Sequence, residues 1–331
     1  MNAFFKTYRR ESILLGLLVL LAVFVALRQP SFVSPKNLEF IWHDSALLIA
    51  MALAQMLVIM SRGIDLSVAA NLALTGMLVG MLGQEFPGLP IWVLLPLGLL
   101  IGLLLGVVNA LLITALEIPP IVATLGTMSI FRGVIYVVSG GEWINSNEMS
   151  PAMQAFSSPN TRLLGLSMLE WVSIAAVVLF FLLVHHSRFG REIRALGVNP
   201  VAAQYMGIPE KRRLFSLYAL SGAVAGAVGV MWVGRYALAN TEVALGFELQ
   251  VIAACVLGGV SIAGGTGTVF GAVVGAFFLV TLYNALPVIG ISPFWQMGLV
   301  GVAILLAAVF NQGAGRVAGK QILRKEGAAG D

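Results

Sequence analysis

Apolar residues in this chain gather into long unbroken runs separated by short polar connections, at Ile13–Leu27, Leu47–Met60, Leu66–Leu82, Ile91–Leu116, Ile121–Ser139, Leu169–His185, Leu214–Gly234, Glu248–Gly259, Gly267–Leu286 and Pro293–Phe310. Few of these runs alternate polar with apolar as a half-buried strand would, and several are apolar all round, as a helix in lipid is. The pattern predicts an all-α integral membrane protein of about ten transmembrane helices. The second and eighth runs are short for a full span. An even number of crossings returns both termini to one side. The first run follows Lys6, Arg9 and Arg10, which gives it the outline of a signal peptide. No clear small-x-small cleavage site closes it and further apolar runs follow, so it is expected to stay as an uncleaved first helix.

Composition strengthens this picture. Of 331 residues, 59% are apolar, with only 19 Lys and Arg and 15 Asp and Glu. Ten helices of roughly 20 residues each leave no room for a soluble catalytic domain of about 100 residues. The whole of 1–331 is therefore expected to form one transmembrane domain, with a cytoplasmic loop at 187–213 and a cytoplasmic tail at 311–331. With the amino terminus in the cytoplasm, Lys6, Arg9, Arg10, Arg62, Arg188, Arg191, Arg194, Lys211, Arg212, Arg213, Arg316, Lys320, Arg324 and Lys325 all fall inside, which is 14 of the 19 basic residues. The positive-inside rule asks for that bias, and the reverse orientation would invert it. The basic residues are scattered and lack interleaved aromatics, so the net charge of +4 does not point to nucleic acid. A lone Cys255 in an apolar run reads as a small buried hydrophobe.

The 37 glycines supply the close backbone approach that holds helices together in lipid, with spacings of four at Gly76 and Gly80, Gly102 and Gly106, Gly222 and Gly226, and Gly267, Gly271 and Gly275. A nucleotide cradle at Gly258–Gly271 is the rival reading, but it lacks the Lys-Ser/Thr pair of a P-loop. An internal echo sets Arg62-Gly63-Ile64-Asp65-Leu66-Ser67, after the second run, against Gly258-Gly259-Val260-Ser261-Ile262-Ala263, after the eighth. Transporters often contain repeats that interrupt helices near a pathway, so the echo suggests two related halves.

Candidate chemistry is sparse. The three histidines, His43, His185 and His186, lie near run ends without metal-ligand spacing or a nucleophile motif. Ionisable and amide groups at membrane depth are the stronger pointers, because each is costly unless it faces a cavity or a partner. Arg132 lies midway along the fifth run, downstream of Thr124 and Thr127, where it suits either sugar hydroxyls or a structural role against carbonyls. Asn109, Gln250 and Asn284 join them as translocation-path candidates, beside Gln55, Glu117, Glu248 and Gln296 of the same class. Asp65 suits the amino-terminal cap of the third helix. In the central polar stretch, Asn199 can cap a short helix that begins at Pro200, turns through Val201–Met206 and ends at Gly207 and Pro209. Such a helix has no core of its own, so it reads as an interfacial corner, a lipid anchor or a docking element.

Three segments carry a likeness over nearly the whole chain: Arg62–Ser67; Ile118–Thr127 continuing to Phe131-Arg132-Gly133; and Ile252–Gly259 continuing to Gly264-Gly265-Thr266-Gly267. On these the chain resembles the permease subunits of bacterial carbohydrate-importing ABC transporters of the ribose, rhamnose and autoinducer-2 type. That resemblance implies a multi-pass protein of the bacterial inner membrane that forms a translocation path for a sugar-like solute. It also implies a periplasmic or lipid-anchored solute-binding protein, a second permease subunit, the same or related, and separate ATP-binding cassette ATPases. This chain would then be no enzyme and carry no cofactor, ATP being used by its partners. The resemblance assigns ATPase coupling to the central loop, where Ala202, Ala203 and Gly207 match and Arg191, Arg194 and Asn199 accompany them. Val201 stands where the wider pattern has Glu. Ser139–Asn145 looks more like the rhamnose and autoinducer-2 subgroup than the ribose one. A stand-alone secondary carrier would be expected to show paired intramembrane carboxylates, and an intramembrane enzyme a nucleophile or metal cluster. Neither is legible.

Overall fold

A computed structural model describes residues 9–292 and, beyond them, residues 294, 295, 298, 301, 302 and 305. Lys6, most of the expected span Pro293–Phe310 with Gln296, and the tail at 311–331 lie outside the described residues. The described chain is mainly helical: α1 (Arg9–Arg28), α2 (Pro35–Met60), α3 (Val68–Glu85), α4 (Ile91–Thr114), α5 (Pro120–Ser139), α6 (Pro151–Ser157), α7 (Met168–Phe181), α8 (Arg188–Val198), α9 (Pro200–Tyr205), α10 (Glu210–Tyr236), α11 (Phe247–Leu257) and α12 (Val269–Val288). A short antiparallel hairpin, β1 (Arg162–Leu163) and β2 (Leu166–Ser167), leads into α7, which continues through a π-helical turn at Leu182–His186.

Among the described residues, seven helical stretches are long and apolar enough to cross a bilayer: Glu11–Arg28, Pro35–Met60, Ile91–Thr114, Pro120–Ser139, Met168–His186, Glu210–Tyr236 and Val269–Val288. Helix α3 has 18 residues but carries Asn71, Thr75, Gln84 and Glu85. Helix α11 has only 11 residues. At 1.5 Å per residue it reaches about 16 Å, roughly half of a 30 Å hydrocarbon core. The second run of the sequence grew most on folding, from Leu47 back to Pro35. His43 lies near a run end in the sequence, yet its Nδ1 meets the Ser167 hydroxyl and the neighbouring Asp44 pairs with Arg235, so the helix runs through them.

Two sets of connections identify two ends. At one end Gly265 N–H donates to the Met60 carbonyl, Thr268 to Glu11, and Lys211 pairs with Glu117. At the other, Ile144 bridges Ala239, Asp44 pairs with Arg235, and Glu39 with Arg162. From Ile41 on, helix α2 is almost wholly buried at the centre, whereas α1, α4, α5 and α7 turn Leu20, Leu104, Val137 and Leu179 outward. An apolar outer belt of that kind is what a protein dissolved in lipid presents.

Glycine does the packing that its spacing predicts. A Cβ at Gly102 or Gly106 of α4 would fall on the backbone of Gly222 and Gly226 in α10, and the reverse holds from α10. Gly76 meets Gly229 in the same way, and Gly271 and Gly275 meet Gly258 and Ala254.

Candidate functional site

The chain breaks between α2 and α3, and the broken segment is buried. Ser61 caps α2, Arg62 takes a left-handed φ of 69°, and of the irregular residues that follow, Gly63, Asp65 and Ser67 are buried and Ile64 and Leu66 half-buried. Asp65 is only 1% exposed. Ser67, not Asp65, stands at the start of α3, and its side chain makes no cap bond there. Instead Asp65 Oδ1 accepts from the Ser67 backbone N–H at 3.0 Å and the Ser67 hydroxyl at 2.7 Å, while Oδ2 accepts from the Ser221 hydroxyl of α10 at 3.1 Å. The carboxylate thus stitches the break to α10 and does not cap a helix.

From Ser67 the network runs on to two of the sequence candidates. Asn109 Nδ2 of α4 donates to Ser67 Oγ at 2.7 Å, and the Thr127 hydroxyl of α5 donates to Asn109 Oδ1 at 2.6 Å. Thr124 lies one turn away, donating to the Pro120 carbonyl at 2.8 Å and accepting from Leu66 N–H at 3.2 Å. Asn109, Thr124 and Thr127 are all buried, so they form a polar seam between α3, α4, α5 and the break. Asp65, Ser67 and Ser221 were the members that periodicity did not single out. A carboxylate inside an apolar context was the available signal, and capping absorbed it.

The break is also tied to the central loop. Arg62 Nε donates to the Gly197 carbonyl and Nη2 to the Val198 carbonyl, both at 2.7 Å, at the end of α8. A Cβ at Gly197 would strike the Met60 carbonyl and Gly265, so α8, the break and the loop after α11 converge there. The first echo segment and Gly264-Gly265, just past the second, therefore meet on the central loop.

Within that loop the cap pattern reads as expected. Asn199 Oδ1 accepts from Ala202 N–H at 3.1 Å, Pro200 opens α9, and Gly207 closes it with a φ of 77°. Ala202 faces out and Ala203 faces in. Val198, Val201, Tyr205 and Met206 make an exposed apolar ridge, with Tyr205 90% exposed. Arg191 is exposed and Arg194 half-buried. Glu192 anchors the loop to the bundle by pairing with Arg188 at 2.6 Å and with Arg213 of α10. Burial works to raise the Glu192 carboxyl, but the hydrogen bonds from Arg188 and Arg213 outweigh it and hold it below its ordinary value. The Lys211 hydrogen bond likewise lowers the exposed Glu117.

The remaining candidates sit toward the other end. Arg132 donates through Nη1 to the carbonyls of Val243 at 2.7 Å and Thr241 at 3.3 Å, the structural alternative of the two the sequence allowed. Gln250 and Asn284 line a cavity of about 460 Å³ together with Asp44, Trp232, Tyr236 and Tyr283. Two groups of candidates thus emerge, one on the polar seam and one at this cavity. Gln55 is fully buried in α2 with no hydrogen-bond partner among the described residues. No group of three or more His, Cys, Asp or Glu able to hold a metal occurs among the described residues.

Comparison with known proteins shows what the chain is similar to. The family model described as branched-chain amino acid transport system / permease component matches residues 37–308. The Autoinducer 2 import system permease protein LsrC of Escherichia coli (strain K12 / DH10B) is 33% identical over 317 residues, covering 96% of this chain and 91% of that protein. Its namesake in Salmonella typhi is 31% identical over 96% of this chain and 89% of its own length. That of Enterobacter sp. (strain 638) is 34% identical over 92% of this chain and 86% of its own length. No solved structure matches.

Proposed function

Because the chain belongs to the branched-chain amino acid transport system permease component family, we propose that it forms the translocation path of an ATP-driven importer for a small sugar-like solute. It is a membrane permease component and not an enzyme. The family description names amino acids, whereas the relatives of about one-third identity are autoinducer 2 import permeases. The relatives and the Ser139–Asn145 segment favour an autoinducer-2 or rhamnose-like solute. The observation that carries the reading is the tie from Arg62 to the end of α8, which joins an exposed loop ridge to a buried helix break.

In this reading the chain crosses the bacterial inner membrane ten times with both termini in the cytoplasm, and α8 and α9 face the cytoplasm. An ATP-binding cassette ATPase docks on Val201, Tyr205 and Met206. Its closure on ATP pushes α8, and Arg62 passes the movement to the Arg62–Ser67 break and the polar seam. Alternating access needs such an element with two arrangements, since a ligand or nucleotide shifts an equilibrium only through differential contacts. A periplasmic or lipid-anchored binding protein delivers solute to the opposite end, and a second permease subunit completes the path.

The test is purification of the tagged chain from its native membrane in mild detergent, with identification of whatever co-purifies and an uptake assay on D-ribose, L-rhamnose and autoinducer-2. A stoichiometric P-loop ATPase and ATP-dependent uptake are expected. Transport by the chain alone without ATP would replace this reading with the secondary carrier.

A further inference from the structure

The outer cavity brings aromatic and polar side chains into one lining. One wall is aromatic: Trp232 and Tyr236 stand with ring centroids 5.1 Å apart, and Trp232 meets Phe247 edge-on at 4.8 Å. The same lining also holds the apolar Leu47, Leu48, Val280 and Pro287, and polar side chains that are incompletely used. Asp44 spends Oδ1 on Arg235 at 2.7 Å, leaving Oδ2 without a protein donor among the described residues. Asn284 spends Nδ2 on the Val280 carbonyl at 2.9 Å, which leaves Oδ1 to accept. The Tyr283 hydroxyl has no partner among the described residues, and the Gln250 amide likewise makes no side-chain bond.

A carboxylate, two carboxamides and a phenol cost several kcal/mol in contact with lipid tails unless water or a ligand satisfies them. An apolar occupant therefore does not fit. A monosaccharide does, because its ring has one C–H face and a rim of hydroxyls that both donate and accept. The C–H face suits an aromatic wall, and the rim suits side chains with unspent donors and acceptors. A volume of about 460 Å³ lies within the range of small-molecule sites, about 300–1,000 Å³.

We infer that this cavity is an outer solute subsite for a small polyhydroxylated solute, with Trp232 and Tyr236 packing on its ring and Asp44, Gln250, Tyr283 and Asn284 on its hydroxyls. The inference rests on the importer reading and adds to it the place and the chemistry of recognition within the permease. Binding here is weak, since a path must release what it admits.

The experiment uses the complete transporter in cells, with Gln250→Cys and Asn284→Cys made singly and labelled by a membrane-impermeant, charged methanethiosulfonate from the outer side. Native Cys255 is buried and lies away from the cavity lining. Leu164→Cys, on the exposed outer hairpin, serves as a control. D-ribose, L-rhamnose and autoinducer-2 are each added in turn. The expected result is labelling of both cavity cysteines, slowed several-fold by at least one of these solutes, with Leu164→Cys unaffected. Labelling that none of the three slows overturns the solute subsite, and failure of the charged reagent to react overturns the aqueous cavity. Uptake by the unmodified transporter, measured alongside, reports separately on the importer reading, so either failure is read without the other.

Discussion

At Arg62 one side chain makes two hydrogen bonds to carbonyls that the end of α8 would otherwise leave without partners. Charge-assisted bonds of this kind contribute about 1.5–3 kcal/mol each. Arg62→Ala is therefore expected to lower uptake by at least about tenfold while the protein still inserts, since the loop keeps Glu192 but loses its tie to the break. Lys cannot supply the forked geometry, so Arg62→Lys is expected to recover only part of the uptake. Uptake equal to the parent for Arg62→Ala at equal membrane level would remove the arginine from the coupling path. Asp65 makes a second residue-scale case, as its two oxygens accept three donors. Asp65→Ala strands all three, at about 1–3 kcal/mol each, whereas Asp65→Asn keeps the shape and an acceptor oxygen. The melting temperature in detergent is expected to fall much further for Ala than for Asn.

Among elements, α8 and α9 depend on Glu192 for attachment to α10. Its folded carboxyl is held below the ordinary 4.5, so the attachment is fully present above that value and is lost as pH falls through the depressed one. The melting-temperature advantage of the parent over Glu192→Gln is thus expected to be constant near neutrality and to shrink below pH 4.5. The α4–α10 seam behaves differently, because Gly102 touches backbone that cannot yield. Gly102→Val is expected to destabilise by more than the 1–3 kcal/mol typical of overpacking and to deplete the protein from the membrane, while Gly126→Ala on open space is tolerated. Both the glycine seam and α9 were legible in the sequence, because spacing by four and an Asn-Pro start are local signals. The start of α2 was not. His43 and Asp44 resemble a boundary until Ser167 and Arg235, more than a hundred residues away, supply their partners. The seam of Asn109, Thr124 and Thr127 was named residue by residue, but its hub at Asp65 required the fold to bring Ser221 alongside.

Across the whole molecule, α2 and α10 each run from the loop end to the outer cavity. Helix α2 carries Asp44 at the cavity and leads into Arg62 at the loop, while α10 carries Arg213 at the loop and Arg235 beside the cavity. Sixteen residues separate Asp44 from Met60 along one continuous helix, which at 1.5 Å each is about 24 Å. Substitutions so far apart normally add in stability to within about 0.5 kcal/mol. Arg62→Ala and Asp44→Asn are therefore expected to lower the melting temperature independently. Uptake should behave otherwise if the two long helices carry one movement between the ends. Asp44→Asn loosens the pair with Arg235 that ties α2 to α10, so at saturating solute, where its hold on the solute no longer limits uptake, each substitution blocks the same transition and the double variant transports no worse than the weaker single. Measuring all three in one membrane background separates the two behaviours. Multiplicative uptake losses alongside additive stability losses would mean that the loop and the cavity act independently and that α2 is only a scaffold between them.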